Sequence, residues 1–148
     1  MSARFRGEYH HTIDKKGRMS IPAKFREGLG ERFIFTKGPD KCLYAYPTEE
    51  WEATEDHIRN SEVFRKAKYR AFVRNLFSSA DDGETDAMGR VLVPASLREY
   101  AELTDKMDVT VIGVSNHVEI WSAALWDAYC NDNADDMDIS EGMEIFDI

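Results

Sequence analysis

The pattern of β-forming, apolar and turn residues divides the chain into short elements. Tyr9, Thr12 and Ile13 lie behind Gly7 and predict a strand over residues 8–13. Lys15-Lys16-Gly17 then predicts a tight turn, with Asp14 placed to accept backbone N–H bonds at its entry. Residues 18–21 read as the return strand of a hairpin, which Pro22 stops because it has no N–H for the ladder. The fixed φ of Pro22 suits the first turn of a helix over 22–27, closed by Gly28 and Gly30. Strands follow at 31–36 and 41–46, on either side of the turn Lys37-Gly38-Pro39-Asp40. Thr48 reads as the cap of a helix that carries Glu49, Glu50 and Glu52 early and runs through Trp51 and Ile58. After Ser61, Phe64, Tyr69, Phe72, Val73, Leu76 and Phe77 recur at helical spacing and predict a buried stripe. Lys66, Arg70 and Arg74 lie four apart and predict a solvated basic stripe on another face. A second hairpin reads at 108–115 and 117–121 about Asn116, with a last helix from Trp126. Beyond Cys130 the chain is acidic and loses periodicity, which predicts a mobile or weakly helical tail; Ile145, Phe146 and Ile148 remain available to dock.

These elements are written twice. Asp14 to Glu27 returns 72 residues later as Asp86 to Glu99, with seven of fourteen positions identical: Asp14/Asp86, Gly17/Gly89, Arg18/Arg90, Pro22/Pro94, Ala23/Ala95, Arg26/Arg98 and Glu27/Glu99. The following hairpin repeats at a shift of 75, pairing Gly38 with Gly113, Tyr46 with Trp121 and Trp51 with Trp126. The repeat turns a chain of 148 residues into two units of about 70 residues, each too small for an ample core of its own and expected to share one.

Composition changes the picture in one respect. With 43% hydrophobic and 32% charged residues the chain is of globular type, and no apolar run approaches the length of a membrane span. The first six residues lack an apolar signal-peptide core, and the two cysteines read as free thiols of a reducing cytoplasm, although two cysteines can in principle pair. A net charge of −9 argues against a nucleic-acid binder until it is divided: residues 1–80 carry +5 and residues 81–148 carry −14. Seven acids and no base of that second share lie in residues 131–148. Such asymmetry predicts that one half meets an anion.

The candidate chemistry sits in the first turn. Residues 1–26 hold seven bases and two acids, with Lys15, Lys16 and Arg18 on a protruding tip and Arg6 and Lys24 close in sequence. Cations beside a phosphate backbone release counterions, so affinity falls steeply with salt. Arg18 can also present a planar fork to a guanine edge, and Gly17 lets the backbone approach the groove. The alternative role for Arg18 is a structural pair with Asp14, and both roles can hold together. The second turn keeps Asp86, Gly89 and Arg90 but carries Ala87 and Met88 in place of the lysines, behind Asp81, Asp82 and Glu84. It is expected to be structural or to touch DNA weakly. No Ser/His/Asp or Cys/His arrangement, phosphate loop or metal cluster stands at suggestive spacing, so an enzyme, a metal and a cofactor are not expected. His10 and His11 lack the company of metal ligands.

Doubled Asp-x-x-Gly-Arg…Pro units followed by an aromatic hairpin and a helix resemble the MraZ family over nearly the whole chain. The resemblance rests on Phe5-Arg6-Gly7-Glu8-Tyr9, the stretches 14–27 and 40–51, and their counterparts 86–101 and 111–121. It implies an α+β fold of two tandem AbrB/SpoVT-like swapped-hairpin units, forming a pseudo-dimer within one chain with flanking helices. The expected divisions are 1–54, a helical connector 55–78, 79–130 and an acidic tail 131–148. It implies a transcriptional regulator of the bacterial division and cell-wall gene cluster, binding direct repeats in its own promoter on double-stranded DNA. It implies a nucleoid-associated cytoplasmic homo-oligomer, a ring of about eight to twelve subunits whose tips act together. No membrane or small-molecule substrate is implied. The DNA-binding residues carried over are Arg6, Lys15, Lys16, Gly17, Arg18 and Lys24. Two rivals stay open: an antitoxin-like protein whose acidic tail neutralises a basic partner, and a scaffolding oligomer without operator specificity.

Overall fold

A computed structural model describes residues 3–148; Met1 and Ser2, where the signal-peptide reading began, lie outside the described residues. The first unit contains β1 (Phe5–Thr12), β2 (Arg18–Ser20), α1 (Ala23–Leu29), β3 (Arg32–Lys37), β4 (Leu43–Pro47) and α2 (Thr48–Arg59). Two 3-10 turns, Glu62–Arg65 and Ala67–Tyr69, lead into α3 (Arg70–Ser79). The second unit repeats the order as β5 (Asp81–Glu84), β6 (Arg90–Leu92), α4 (Ala95–Tyr100), β7 (Asp108–Ser115), β8 (His117–Ser122) and α5 (Ala123–Asp132). A 3-10 turn, Ala134–Met137, and α6 (Ile139–Phe146) finish the chain.

The units exchange strands. β1 pairs along its whole length with β7 of the other unit, and β5 pairs with β3. The six-stranded sheet runs β1-β7-β8-β4-β3-β5, which reads the same from either edge when each strand is replaced by its repeat. β2 and β6 form a separate two-stranded ribbon, with Arg18 opposite Leu92 and Ser20 opposite Arg90. The hairpin expected between 8–13 and 18–21 is therefore reduced to one bridge, Ile13 to Met19. This is the swapped arrangement that the resemblance implied: an α+β pseudo-dimer folded within one chain.

Exchange gives the units one core. Phe25, Phe33, Ile13 and Met19 from the first unit and Val91, Leu97, Val109 and Ile120 from the second fall in the same buried cluster. Leu97 is fully buried, and its truncation to alanine would cost about 2–5 kcal/mol by the usual cavity rule. α1 lies over the start of β1, where Phe25 meets the edges of Phe5 and Tyr9 at ring distances of 5.7 and 5.1 Å.

Several local expectations are corrected. Gly28 lies inside α1, not beyond it, and is small because an added Cβ would come within 2.7 Å of the Phe5 ring. Gly30 ends the helix, its N–H donating to the Arg26 carbonyl. Thr48 does not cap α2; its hydroxyl donates to the Arg32 carbonyl at 3.4 Å. The last helix of the repeat starts at Ala123, three residues before Trp126, where the Ser122 hydroxyl accepts from the Leu125 N–H. The tail contains a regular helix, capped by the Asp138 carboxylate accepting from the Glu141 N–H. The stripe after Ser61 is not buried: α3 buries no residue, and Phe72 is 59% exposed. Phe77 reaches Trp51 edge-on at 6.0 Å, but Tyr69 and Val63 face solvent.

Candidate nucleic-acid interface

The two turns have nearly the same backbone. In the first, the Asp14 N–H donates to the Arg18 carbonyl at 2.9 Å and the Gly17 N–H to the Asp14 carbonyl at 3.0 Å. In the second, Asp86 N–H to Arg90 and Gly89 N–H to Asp86 measure 2.8 and 3.0 Å. Each turn is locked by its own aspartate. Asp14 Oδ1 accepts from the Lys16 and Arg18 backbone N–H groups, and Oδ2 from Arg18 Nε, all at 2.9 Å. Asp86 does the same with Met88 and Arg90 at 2.9 to 3.0 Å. The Arg18 backbone N–H, then its side chain and the Lys16 N–H, hold the Asp14 carboxyl below the usual carboxylate range. Asp86 is lowered likewise, first by the Arg90 backbone N–H.

Gly17 and Gly89 have φ of 82° and 77°, a region that suits glycine. Space excludes a side chain too. A Cβ at Gly17 would fall 2.5 Å from the Arg98 guanidinium, and one at Gly89 would fall 2.4 Å from that of Arg26. Each arginine is fixed on its own unit, Arg26 Nε donating to the Ile21 carbonyl and Arg98 Nε to the Val93 carbonyl, both at 2.9 Å. The carbonyls of Gly17 and Gly89 accept from Val93 and Ile21 across the ribbon at 2.9 and 3.0 Å. Each tip thus rests on an arginine and a strand of the other unit. The sequence marks Arg26 and Arg98 only as a repeated pair; their identity at equivalent places in both copies is the signal for this bracing role.

The shared frame carries different surfaces. Lys15 and Lys16 are exposed and unpaired among the described residues, and Arg18 keeps a third of its side chain exposed. The Nε of Arg18 is engaged by Asp14, while its two terminal nitrogens make no hydrogen bond among the described residues. At the equivalent places the second tip exposes Met88, 69% open, and Leu92, 55% open, where the first has Lys16 and Ser20.

The structure brings Lys15, Lys16, Gly17 and Arg18 together and leaves Arg6 and Lys24 apart from them. Arg6 is exposed near the far end of β1 opposite Val114, roughly 20 Å from Thr12 by the rise of a strand. Lys24 lines a cleft with Arg4, Glu27, Glu49 and Glu50 on the side of the β1 start. Among the described residues, no group of three or more His, Cys, Asp or Glu side chains is placed to hold a metal ion. Cys42 is buried, its Sγ 3.1 Å from the Pro39 carbonyl, and burial pushes its thiol far up; Cys130 is also free. No described helix is long and apolar enough to cross a membrane.

Fold and site together define a single-chain pseudo-dimer of swapped hairpins with one cationic tip and one apolar tip. Comparison with known proteins gives this architecture a family. A family model described as "MraZ protein, putative antitoxin-like" matches residues 4–75 and again 76–144, so the chain belongs to the MraZ family. The Transcriptional regulator MraZ of Moorella thermoacetica is 52% identical over 145 residues, 97% of this chain and 99% of that protein. Its namesake in Desulfitobacterium hafniense is 57% identical over 125 residues, 84% of this chain and 85% of that protein. Both relatives carry the name of a regulator, not of an enzyme.

Proposed function

We propose that this protein is a DNA-binding transcriptional regulator that meets the duplex through its first tip. The observation that carries the reading is the braced turn with three cations, set in a chain whose relatives are named transcriptional regulators. A rigid tip loses little entropy on contact, so its charges act with their full reach. Lys15 and Lys16 neutralise phosphates. Arg18, oriented through Nε by Asp14, offers its two terminal nitrogens end-on to the O6 and N7 of a guanine. Gly17, buried against Arg98, supplies the positive φ that sets these cations at the tip. Arg6 and Lys24, away from the tip, add outlying phosphate contacts. Asp86, Gly89 and Arg90 serve mainly to brace the shared frame, because the second tip has Ala87 and Met88 where the first has the two lysines that attract phosphate.

One tip is a small interface, so assembly completes the reading. The protein forms a ring of about eight to twelve copies that brings several first tips to direct repeats, and effective concentration multiplies their modest affinities. Its targets are repeats in the promoter of its own gene, within the division and cell-wall cluster, and it works in the cytoplasm at the nucleoid. The test is a gel shift on the promoter upstream of its own gene against scrambled DNA, across a salt series. Preference for the promoter of tenfold or more, with affinity falling steeply as salt rises, is the expected result. Equal affinity for both duplexes at every salt would leave a scaffolding oligomer instead.

The antitoxin-like description of the family favours a second reading, in which the protein binds a protein partner. A stoichiometric partner that co-purifies from its own cell and releases the DNA would favour it.

A further inference from the structure

Two exposed apolar features lie on the first unit's helices and on the tail. α2 and α3 enclose two grooves of about 550 and 280 Å³ that share Ile58 and Phe72 in their linings. Trp51 and Leu76 line the larger; Val63 and Tyr69 line the smaller. The stretch of chain that supplies the smaller groove is cationic. Residues 59–74 hold Arg59, Arg65, Lys66, Lys68, Arg70 and Arg74 against one acid, Glu62, and none of these six bases makes an ion pair among the described residues.

The tail is the complement. α6 and the residues after it expose Ile139 (72%), Ile145 (73%), Phe146 (76%) and Ile148 (84%). Asp135, Asp136, Asp138, Glu141, Glu144 and Asp147 surround them without a single base after residue 130. A helix of eight residues with its apolar side in water is not held by propensity alone; it needs a surface to lie on.

We infer that α6 and residues 147–148 of one copy dock into the α2–α3 groove of the next copy. The inference rests on the assembly proposed above and says what joins the ring. Within a chain both surfaces stay open to solvent, so the packing they call for is not made internally. Each copy then offers one tail and one groove. Such a head-to-tail contact is heterologous, and it yields a closed ring when its rotation closes. Isoleucine and phenylalanine fill the grooves, and the carboxylates are drawn to the basic stretch 59–74. The tail thereby keeps a basic surface away from DNA and leaves the first tip as the cationic contact.

The test uses two full-length variants and light scattering after size exclusion. Phe72→Glu spoils the groove and leaves the tail intact; Ile145→Glu with Phe146→Glu does the reverse. All these positions are exposed, and far-UV circular dichroism checks that both variants keep the fold. Each variant alone is expected to lose the wild-type assembly and run as a monomer. Mixed one to one, they are expected to form heterodimers and nothing larger, because one tail–groove pair survives. Higher salt should loosen the wild-type assembly. A wild-type ring unchanged in both variants overturns this inference and leaves the assembly itself standing. A wild-type monomer overturns both. Two variants that stay monomeric on mixing also overturn it. So does a Phe72→Glu, Arg70→Glu or Arg74→Glu protein that keeps its mass but loses promoter binding, for the face would then belong to DNA.

Discussion

The turns at 14–18 and 86–90 share a skeleton and differ in what they show the solvent. Both close on an aspartate that accepts three hydrogen bonds, both carry a glycine at positive φ, and both lean on an arginine from the opposite unit. One then displays Lys15 and Lys16; the other displays Ala87 and Met88. The repeated residues build the same frame twice, and in the proposed function the unrepeated Lys15 and Lys16, with Arg18, make only the first frame a contact for DNA. A duplicated unit held in one chain can separate these demands, since a change in one copy is not forced on the other.

The largest expected effect breaks the comparison at its strongest point. Lys15→Ala, Lys16→Ala and Arg18→Ala together should abolish promoter binding in a gel shift at moderate salt. Arg18→Ala alone should cost about 1–3 kcal/mol per tip, and Arg90→Ala should cost less than a factor of three. Equal losses from Arg18→Ala and Arg90→Ala would end the claim of asymmetry.

Adding charge sharpens it from the other side. Ala87→Lys with Met88→Lys should tighten binding to any duplex and steepen the salt dependence by about two phosphate contacts per chain. A salt slope that does not move would mean that the second tip cannot reach DNA at all.

Stability should not distinguish the tips. Gly17→Ala and Gly89→Ala each force a Cβ at positive φ against a guanidinium, and each should cost about 1–2 kcal/mol in thermal or denaturant unfolding. A loss confined to Gly17→Ala would show that the two braces are not equivalent.

The smallest effect concerns acid. Asp14 and Asp86 both have folded pKa values below the ordinary carboxylate value, so their contribution is present above that value. It is lost as pH falls through the lowered folded value. Asp14→Asn and Asp86→Asn should each flatten the fall of stability below about pH 4, to similar extents. Urea midpoints between pH 2 and 6 would check this.

Much of this was legible in the residues. The Asp-x-x-Gly-Arg turn and the Pro that ends the strand depend on chemistry within a few positions, and β7 begins and ends where its pattern set it. Pairing was less local. Nothing in 8–13 or 18–21 distinguishes a strand that folds back on its neighbour from one that crosses to the other unit, because both choices bury the same residues; the family resemblance supplied the exchange. The stripe of Phe64, Tyr69, Phe72 and Val73 has helical spacing, but spacing reports that a face is apolar and not what covers it. The repeat marks Arg26 and Arg98 as a matched pair, but which backbone each arginine braces depends on the pairing of the two units.

The exchange of β1 has a consequence for how the chain is made. β1 leaves the ribosome about 100 residues before its partner β7, an interval of some 5–20 s at ordinary rates of translation. Through that interval β1 is a nascent strand with an unfilled edge, the kind of segment that recruits neighbouring chains on a polysome. Its sequence FRGEYHHT offers few apolar side chains and a spread of polar and charged ones, and so guards against that trap. The same polar strand, once β7 emerges, becomes the border of the finished sheet.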